Sequence, residues 1–213
     1  MIQIRSTRWR AAAVTMAGAL AMTACSAPAA QQPAPTTSPA AAPAAASGPA
    51  PQENSAQGDI PDNQQYVAYA LPSGHSRLNV PEGWARTDLP GGNGATFTDK
   101  LNTIRIEVRP ARAAPTVTTV LADVAAQNRT AAGFAGLAVS TVTRSAAAVV
   151  LARYQVNSPV DPVTNRYVKD DVERYEFFRA GSLALITLIT LSAPHGSDNV
   201  DPWRRVTESF RWR

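Results

Sequence analysis

In NTIRIEVR, residues 102–109, apolar Ile104, Ile106 and Val108 alternate with Arg105, Glu107 and Arg109. That is the period-two pattern of a strand with one buried and one wetted face. The period changes in PTVTTVLADVAAQNRTAAG, where Val117, Val120, Leu121, Val124 and Ala125 recur at i, i+3, i+4, i+7 and i+8. This spacing predicts one face of a helix, with Thr116 placed to cap its start and Gly133 to stop it. Alternation returns after Gly136 in LAVSTVTR and AVVLARYQV, followed by a Pro-bearing loop, NSPVDPVTNR. YVKDDVERYEFFRA and SLALITLITLSA then flank Gly181, which predicts an antiparallel hairpin. The second of these runs is apolar on both faces and so predicts a central strand covered on both sides. Upstream, SRLNVPEGW predicts a strand ending at Val80, with Pro81 stopping the ladder and Gly83 turning the chain to set Trp84; ATFTD follows the run Gly91–Gly94. In NVDPWRRVTESFRW, Asp201 before Pro202 predicts the N-cap of a second helix, with Phe210 and Trp212 as a closing strand. The order of elements predicts an α+β domain over residues 65–213, an antiparallel sheet of about six or seven strands packed with two helices.

The start of the chain is patterned differently. Arg5, Arg8 and Arg10 precede an apolar run from Ala11 to Ala24, the layout of a secretory signal over residues 1–24. The run is shorter than the about 20 residues that span a bilayer. It ends at Met22-Thr23-Ala24-Cys25, which holds the only cysteine and resembles a bacterial lipobox. The resemblance implies cleavage before Cys25 and a diacylglycerol thioether, with palmitate-type acyl chains, on its sulfur. Two acyl chains anchor stably where one is marginal. Trp9 separates Arg8 from Arg10, so the paired-arginine export signal is absent and the general secretion route is expected. Residues 25–64 are dominated by Ala, Pro, Ser, Thr and Gln, with Ile60 the one large aliphatic side chain. This composition predicts a disordered tether that builds no core.

Processing changes the charge. The chain has 20 basic and 16 acidic residues; without Arg5, Arg8 and Arg10 the balance is 17 against 16, or +1. The pI near 9.6 is therefore no signature of nucleic-acid binding. With Cys25 consumed there is no intramolecular disulfide. Lys100 and Lys169 are the only lysines and alanine is abundant, a bias that suggests a GC-rich genome such as those of actinobacteria.

NVPEGW, TFTD, the helix over 117–125 and the terminal SFRW together resemble the exported actinobacterial lipoproteins of the LpqN type. The domain of that family is similar to PsbP, the extrinsic subunit of the plant oxygen-evolving photosystem. The resemblance covers about residues 65–213 and implies a PsbP-like fold, a lipid-anchored place on the extracytoplasmic face of the cell membrane, and action by binding. It carries over no catalytic residue and no cofactor.

Candidate chemistry is sparse. His75 and His195 lie in different loops and no cysteine is spare, whereas a zinc-type site needs three or four ligands; no metal site is expected. His195 with Asp198, Asp201 and Ser192 or Ser197 has the residue types of a hydrolase triad without a diagnostic spacing. No G-x-S-x-G elbow or P-loop is present. In VKDDVERYEFFR, the mixed charges of Asp171, Glu173, Arg174 and Glu176 beside Tyr175 suit a partner surface read by complementarity, or else a solvated face or guarded sheet edge. Trp84, Trp203 and Trp212 line a ligand cleft or pack in the core. The expected function is a noncatalytic, lipid-anchored binding or accessory module of the cell envelope that contacts a protein, glycan or lipid. The alternatives are an envelope hydrolase using the His195 loop and a purely structural envelope spacer.

Overall fold

A computed structural model describes residues 58–99, 101–192 and 198–213. The signal segment, Cys25, residues 26–57, His195 and Ser197 lie outside the described residues. The strands are β1 Tyr66–Ala70, β2 Ser76–Pro81, β3 Ala85–Asp88, β4 Gly94–Asp99, β5 Asn102–Pro110, β6 Ala135–Arg144, β7 Ala147–Asn157, β8 Lys169–Arg179, β9 Ser182–Leu191 and β10 Arg211–Trp212; the helices are α1 Val117–Asn128 and α2 Val200–Ser209. β3-β4-β5-β9-β8-β7-β6 form a seven-stranded sheet and β1-β2-β10 a three-stranded one, with every pairing antiparallel. The fold is α+β, and the sheet expected to be single is two.

Alternation decides which residues share a face. One face of the large sheet carries Phe97, Ile104, Ile106, Leu151, Tyr175, Phe177, Ile186 and Leu188, which join Leu78 and Val80 of β2 and Trp203, Val206 and Phe210 in one core. Each aliphatic side chain withdrawn from water here contributes about 1.5–3 kcal/mol. On the opposite face α1 packs Val120 and Val124 onto Val150 and Ala152. The helix begins where expected, since Thr116 and Thr119 form a capping box, but it ends at Asn128, short of Gly133. Val117 and Leu121 are 38% and 43% exposed, as α1 packs chiefly on β6 and β7.

The hairpins close on residues with positive φ. Ala180 (46°) and Gly181 (78°) turn β8 into β9, as the sequence predicts. Ser145 (52°) and Ala146 (59°) turn β6 into β7 without a glycine. The end of α2 braces this turn: the Ser145 N–H donates to Glu208 Oε2 at 2.9 Å, and its hydroxyl lies 2.9 Å from the carbonyls of Glu208 and Phe210. β2 runs one residue past Val80 to Pro81, which faces Tyr66; β10 reaches only Arg77 and Ser76, so the missing Pro81 N–H breaks no ladder bond on that side.

Three expectations are corrected. Asp201 is not the N-cap of α2; Asn199 is, and Asp201 lies in the first turn, paired with Arg204 at 2.8 Å. The outer face of β9 is only half covered, with Leu185, Thr187 and Ile189 partly exposed, because α1 does not reach over it. The linker expected to run to residue 64 stops earlier, since Ile60 is 5% exposed within the core.

Candidate functional site

β8 lies between β7 and β9 and is not an edge. Its period of two divides the five candidate partner-binding residues. Asp171, Glu173 and Tyr175 pair with Gln155, Arg153 and Leu151 and share the face covered by α2; Arg174 and Glu176 pair with Ala152 and Val150 on the face of α1. Arg174, Tyr175 and Glu176 are buried, at 6%, 1% and 4% exposure. The five therefore do not form one solvated surface.

Asp171, Glu173 and Tyr175 line a recess of about 200 Å³ whose other walls include Arg144, Arg153, Asn199 and Trp203. Arg153 Nε donates to Glu173 Oε1 at 2.6 Å, and the Tyr175 hydroxyl donates to Glu173 Oε2 at 2.7 Å. Arg144 Nη2 reaches the Tyr175 oxygen at 3.4 Å, and its guanidinium carbon stands 5.4 Å from the centre of the Tyr175 ring. Gln155 Nε2 donates to Asp171 Oδ1 at 2.7 Å. Burial, and then the hydrogen bond to Glu173 and its charge, push the Tyr175 phenol up to about 12. Tyr175 is thus a protonated donor at neutral pH.

Behind the recess runs a buried polar chain. Asn199 Nδ2 donates to Thr190 Oγ1 at 2.8 Å and to the Gly58 carbonyl at 3.0 Å; Thr190 Oγ1 donates to Asn102 Oδ1 at 2.8 Å. Asn199 Oδ1 accepts the Ile60 N–H at 2.9 Å. These bonds seat the segment around Gly58 and Ile60 against β5, β9 and the start of α2.

On the opposite face, Arg174 and Glu176 form an ion pair at 2.7 Å with side-chain exposures of 7% and 4%. Arg174 Nη1 also donates to Gln127 Oε1 of α1 at 2.8 Å, while Arg174 Nε is buried without an acceptor. Burial raises the Glu176 carboxyl above its ordinary value, with Arg174 opposing that rise.

Another opening, about 700 Å³, lies where β7 passes to β8; Leu101, Thr103, Val160, Asp161, Arg166, Asp170 and Ile189 are among its walls. Burial, followed by the charge of Asp171, pushes the Asp170 carboxyl from 3.8 up to about 6. Between those two values the folded chain holds a proton that the unfolded chain has lost, so stability falls as pH rises through the window and is level above about 6. Asp170→Asn should raise the unfolding free energy at pH 7.5 by roughly 1 kcal/mol, a figure reduced for solvent screening of a half-exposed group. Urea titrations between pH 4 and 7.5 check this, and equal slopes for both chains would refute it.

The other candidates are scattered. Trp203 is 5% exposed and meets Trp84 edge-on at 6.3 Å, whereas Trp212 meets Phe210 at 5.2 Å; the three tryptophans line no common cleft. The Ser192 hydroxyl lies 3.2 Å from Gln155 Nε2, and the Asp198 N–H donates to Asp59 Oδ1 at 2.8 Å. Among the described residues, no group of three His, Cys, Asp or Glu is placed to hold a metal ion, and no helix is long and apolar enough to cross a membrane. Sequence reasoning missed Arg144 and Arg153. The latter's pairing with Glu173 follows only from the β7–β8 register.

No family model matches the chain, and no curated protein does. Several solved structures are similar to it. A protein from Bacteroides thetaiotaomicron aligns at 10% identity and TM-score 0.46, over 68% of this chain and 48% of the other, so the chain spans about half its length. Cyanobacterial PsbP from Synechocystis aligns at 13% identity and TM-score 0.48, over 73% of this chain and 98% of that one. LpqN of Mycobacterium tuberculosis, a protein involved in cell envelope biogenesis, aligns at 12% identity and TM-score 0.44, over 71% and 92%.

Proposed function

We propose that the chain is an exported lipoprotein, anchored through Cys25 at the extracytoplasmic face of the cell membrane, whose domain acts as a noncatalytic binding or accessory module of the envelope. One observation carries the noncatalytic part: Glu173, the carboxylate at the centre of the recess, is held by Arg153 and Tyr175 at 2.6 and 2.7 Å. A general base needs a free lone pair and a pKa near the operating pH. Here each carboxylate oxygen already accepts a hydrogen bond, from Arg153 or from Tyr175, which fixes Glu173 in the wall of the recess, and the phenol is a protonated donor. Such a fixed array of donors and paired charges suits recognition of a partner's polar groups. The anchoring part is supported by the sequence, in which arginines, a short apolar run and the lone cysteine stand in the order of a lipobox.

Crosslinked capture from intact cells, with the native chain compared with Cys25→Ala, tests the reading. The Cys25→Ala chain should leave the membrane fraction, and one envelope partner should be enriched by the native chain over a control lipoprotein. Unchanged membrane fractionation overturns the anchor. Turnover of ester substrates that is abolished by His195→Ala overturns the noncatalytic role in favour of the hydrolase.

A further inference from the structure

On the face of the large sheet away from the recess, register sets two arginines in one row. Arg105 of β5 stands opposite Thr187 of β9, and Thr187 stands opposite Arg174 of β8. Neighbouring strands lie about 4.8 Å apart, so the two arginine backbones are roughly 9–10 Å apart with one short side chain between them. Glu107 and Glu176 occupy the next row, on either side of Leu185. Gln127 and Asn128, at the end of α1, meet Arg105, Arg109, Arg174 and Thr187 around an opening of about 290 Å³. Eight of its nine lining residues carry a polar group, Leu185 being the exception. Small-molecule pockets run from about 300 to 1,000 Å³, so this one suits a single small polar group.

Its walls hold more donors than acceptors. The Arg174 side chain, 7% exposed, donates from Nη1 to Gln127 Oε1 and pairs through Nη2 with Glu176, yet its Nε is buried without an acceptor. A buried donor left unmatched is unfavourable and calls for an explanation. Arg105 pairs with Glu107 through Nη2 at 3.0 Å, which leaves its Nε and Nη1 without an acceptor among the described residues. Arg109 forms no ion pair among the described residues. Glu107 is the one carboxylate in these walls, against three guanidiniums; Glu176 and Asp123 line the neighbouring opening instead. The balance of charge and of donors therefore favours an anion.

We propose that this opening binds the phosphate group of a monoester: Arg105 and Arg174 hold its oxygens from the two sides of Thr187, and Arg109 supplies a third positive charge. A guanidinium presents its N–H groups as a planar fork that matches phosphate oxygens, and such charge-assisted bonds are stronger than neutral ones. A phosphate monoester offers three terminal oxygens, enough for both guanidiniums and the Thr187 hydroxyl at once, where a carboxylate offers two. Glu107, held by Arg105, stays in the wall and sets a limit on how much negative charge the site accepts. The site lies across the sheet from the recess of Glu173 and Tyr175, so it adds a second ligand to the binding role argued there and stands without the lipid anchor.

The chain from residue 25 onward carrying Cys25→Ala, which has no site for an acyl group, is titrated by calorimetry with inorganic phosphate, glycerol phosphate and acetate. It is also titrated with phosphatidylcholine vesicles that contain phosphatidic acid. The two soluble phosphates should bind saturably and at least about tenfold more tightly than acetate, and Arg105→Gln should weaken them at least about tenfold. The Arg105 side chain is 45% exposed, so its replacement leaves the core intact; Arg86→Gln, on β3, should leave the affinity unchanged. In proton–nitrogen spectra the Arg174 Nε–H signal should move as phosphate saturates the site, a response that loss of surface charge alone does not give. Vesicle binding that Arg105→Gln weakens equally identifies a lipid headgroup as the source of the phosphate, and binding of the soluble phosphates alone identifies a soluble ester. Absence of saturable phosphate binding, acetate bound as tightly as phosphate, an unmoved Arg174 signal or an affinity untouched by Arg105→Gln overturns the proposal.

Discussion

Glu176→Ala should destabilise the domain by about 3–5 kcal/mol, since it leaves the guanidinium of Arg174 buried without its counter-charge. The pair is withdrawn from water on both sides, at 7% and 4% side-chain exposure. Its geometry is imperfect as well, because Arg174 Nε has no acceptor. Burial outweighs the attraction of Arg174 in raising the Glu176 carboxyl, so ionising the pair costs more than it returns. Replacing both, Arg174→Met with Glu176→Leu, should therefore restore stability to within about 1 kcal/mol of the parent or exceed it. Urea unfolding of the parent, the single variant and the double variant checks this. A double variant as unstable as the single one would show that the pair stabilises the fold on balance.

The charged run around that pair shows how far the sequence was legible. The strand was readable from alternation, and so was the hairpin at Gly181. On a strand, residues two apart share a face, so Arg174 with Glu176 and Glu173 with Tyr175 were visible as same-face pairs. Which face each pair occupied, and that both faces are covered, depends on the neighbouring strands and on two helices distant in sequence. Asn199 illustrates the other limit. Asp201 before Pro202 has the local signature of a helix start, but the cap fell to Asn199, whose side chain answers to Gly58 and Ile60, about 140 residues away. Ile60 was unreadable for the same reason: a single aliphatic residue among Pro, Gln and Asn gives no period, and its burial depends on that distant amide.

The recess and the loop between β7 and β8 differ in the same way. The recess is assembled from β6, β7, β8, β9 and α2, and its arginines enter through register alone. The loop is local, a Pro-bearing stretch already visible in the sequence; the exposure of Val163 on it emerges only from the structure.

Asn199→Ala should cost about 2 kcal/mol, because one buried side chain, 2% exposed, is the acceptor of the Ile60 N–H, while the Gly58 carbonyl and Thr190 Oγ1, to which it also donates, keep Asn102 as a partner; a group orphaned in the interior costs about 1–3 kcal/mol, less whatever water recovers. The loss should be uneven. The Ile60 amide loses its acceptor and Ile60 its fixed seat in the core, so hydrogen exchange around Gly58–Ile60 should accelerate far more than at Val172 or Ile186 in the centre of the large sheet. Asn199→Asp separates the two roles of the amide. It keeps an acceptor for the Ile60 N–H but loses the bonds donated to Gly58, Thr190 and Asn102, and it sets a carboxylate beside Asn102 Oδ1, which accepts from the present amide nitrogen at 3.3 Å. It should therefore protect Ile60 partially and still destabilise the fold. If exchange at Ile60 is as slow in Asn199→Ala as in the parent, the segment is held by apolar burial alone, and the polar chain behind the recess does not set where Gly58–Ile60 sits.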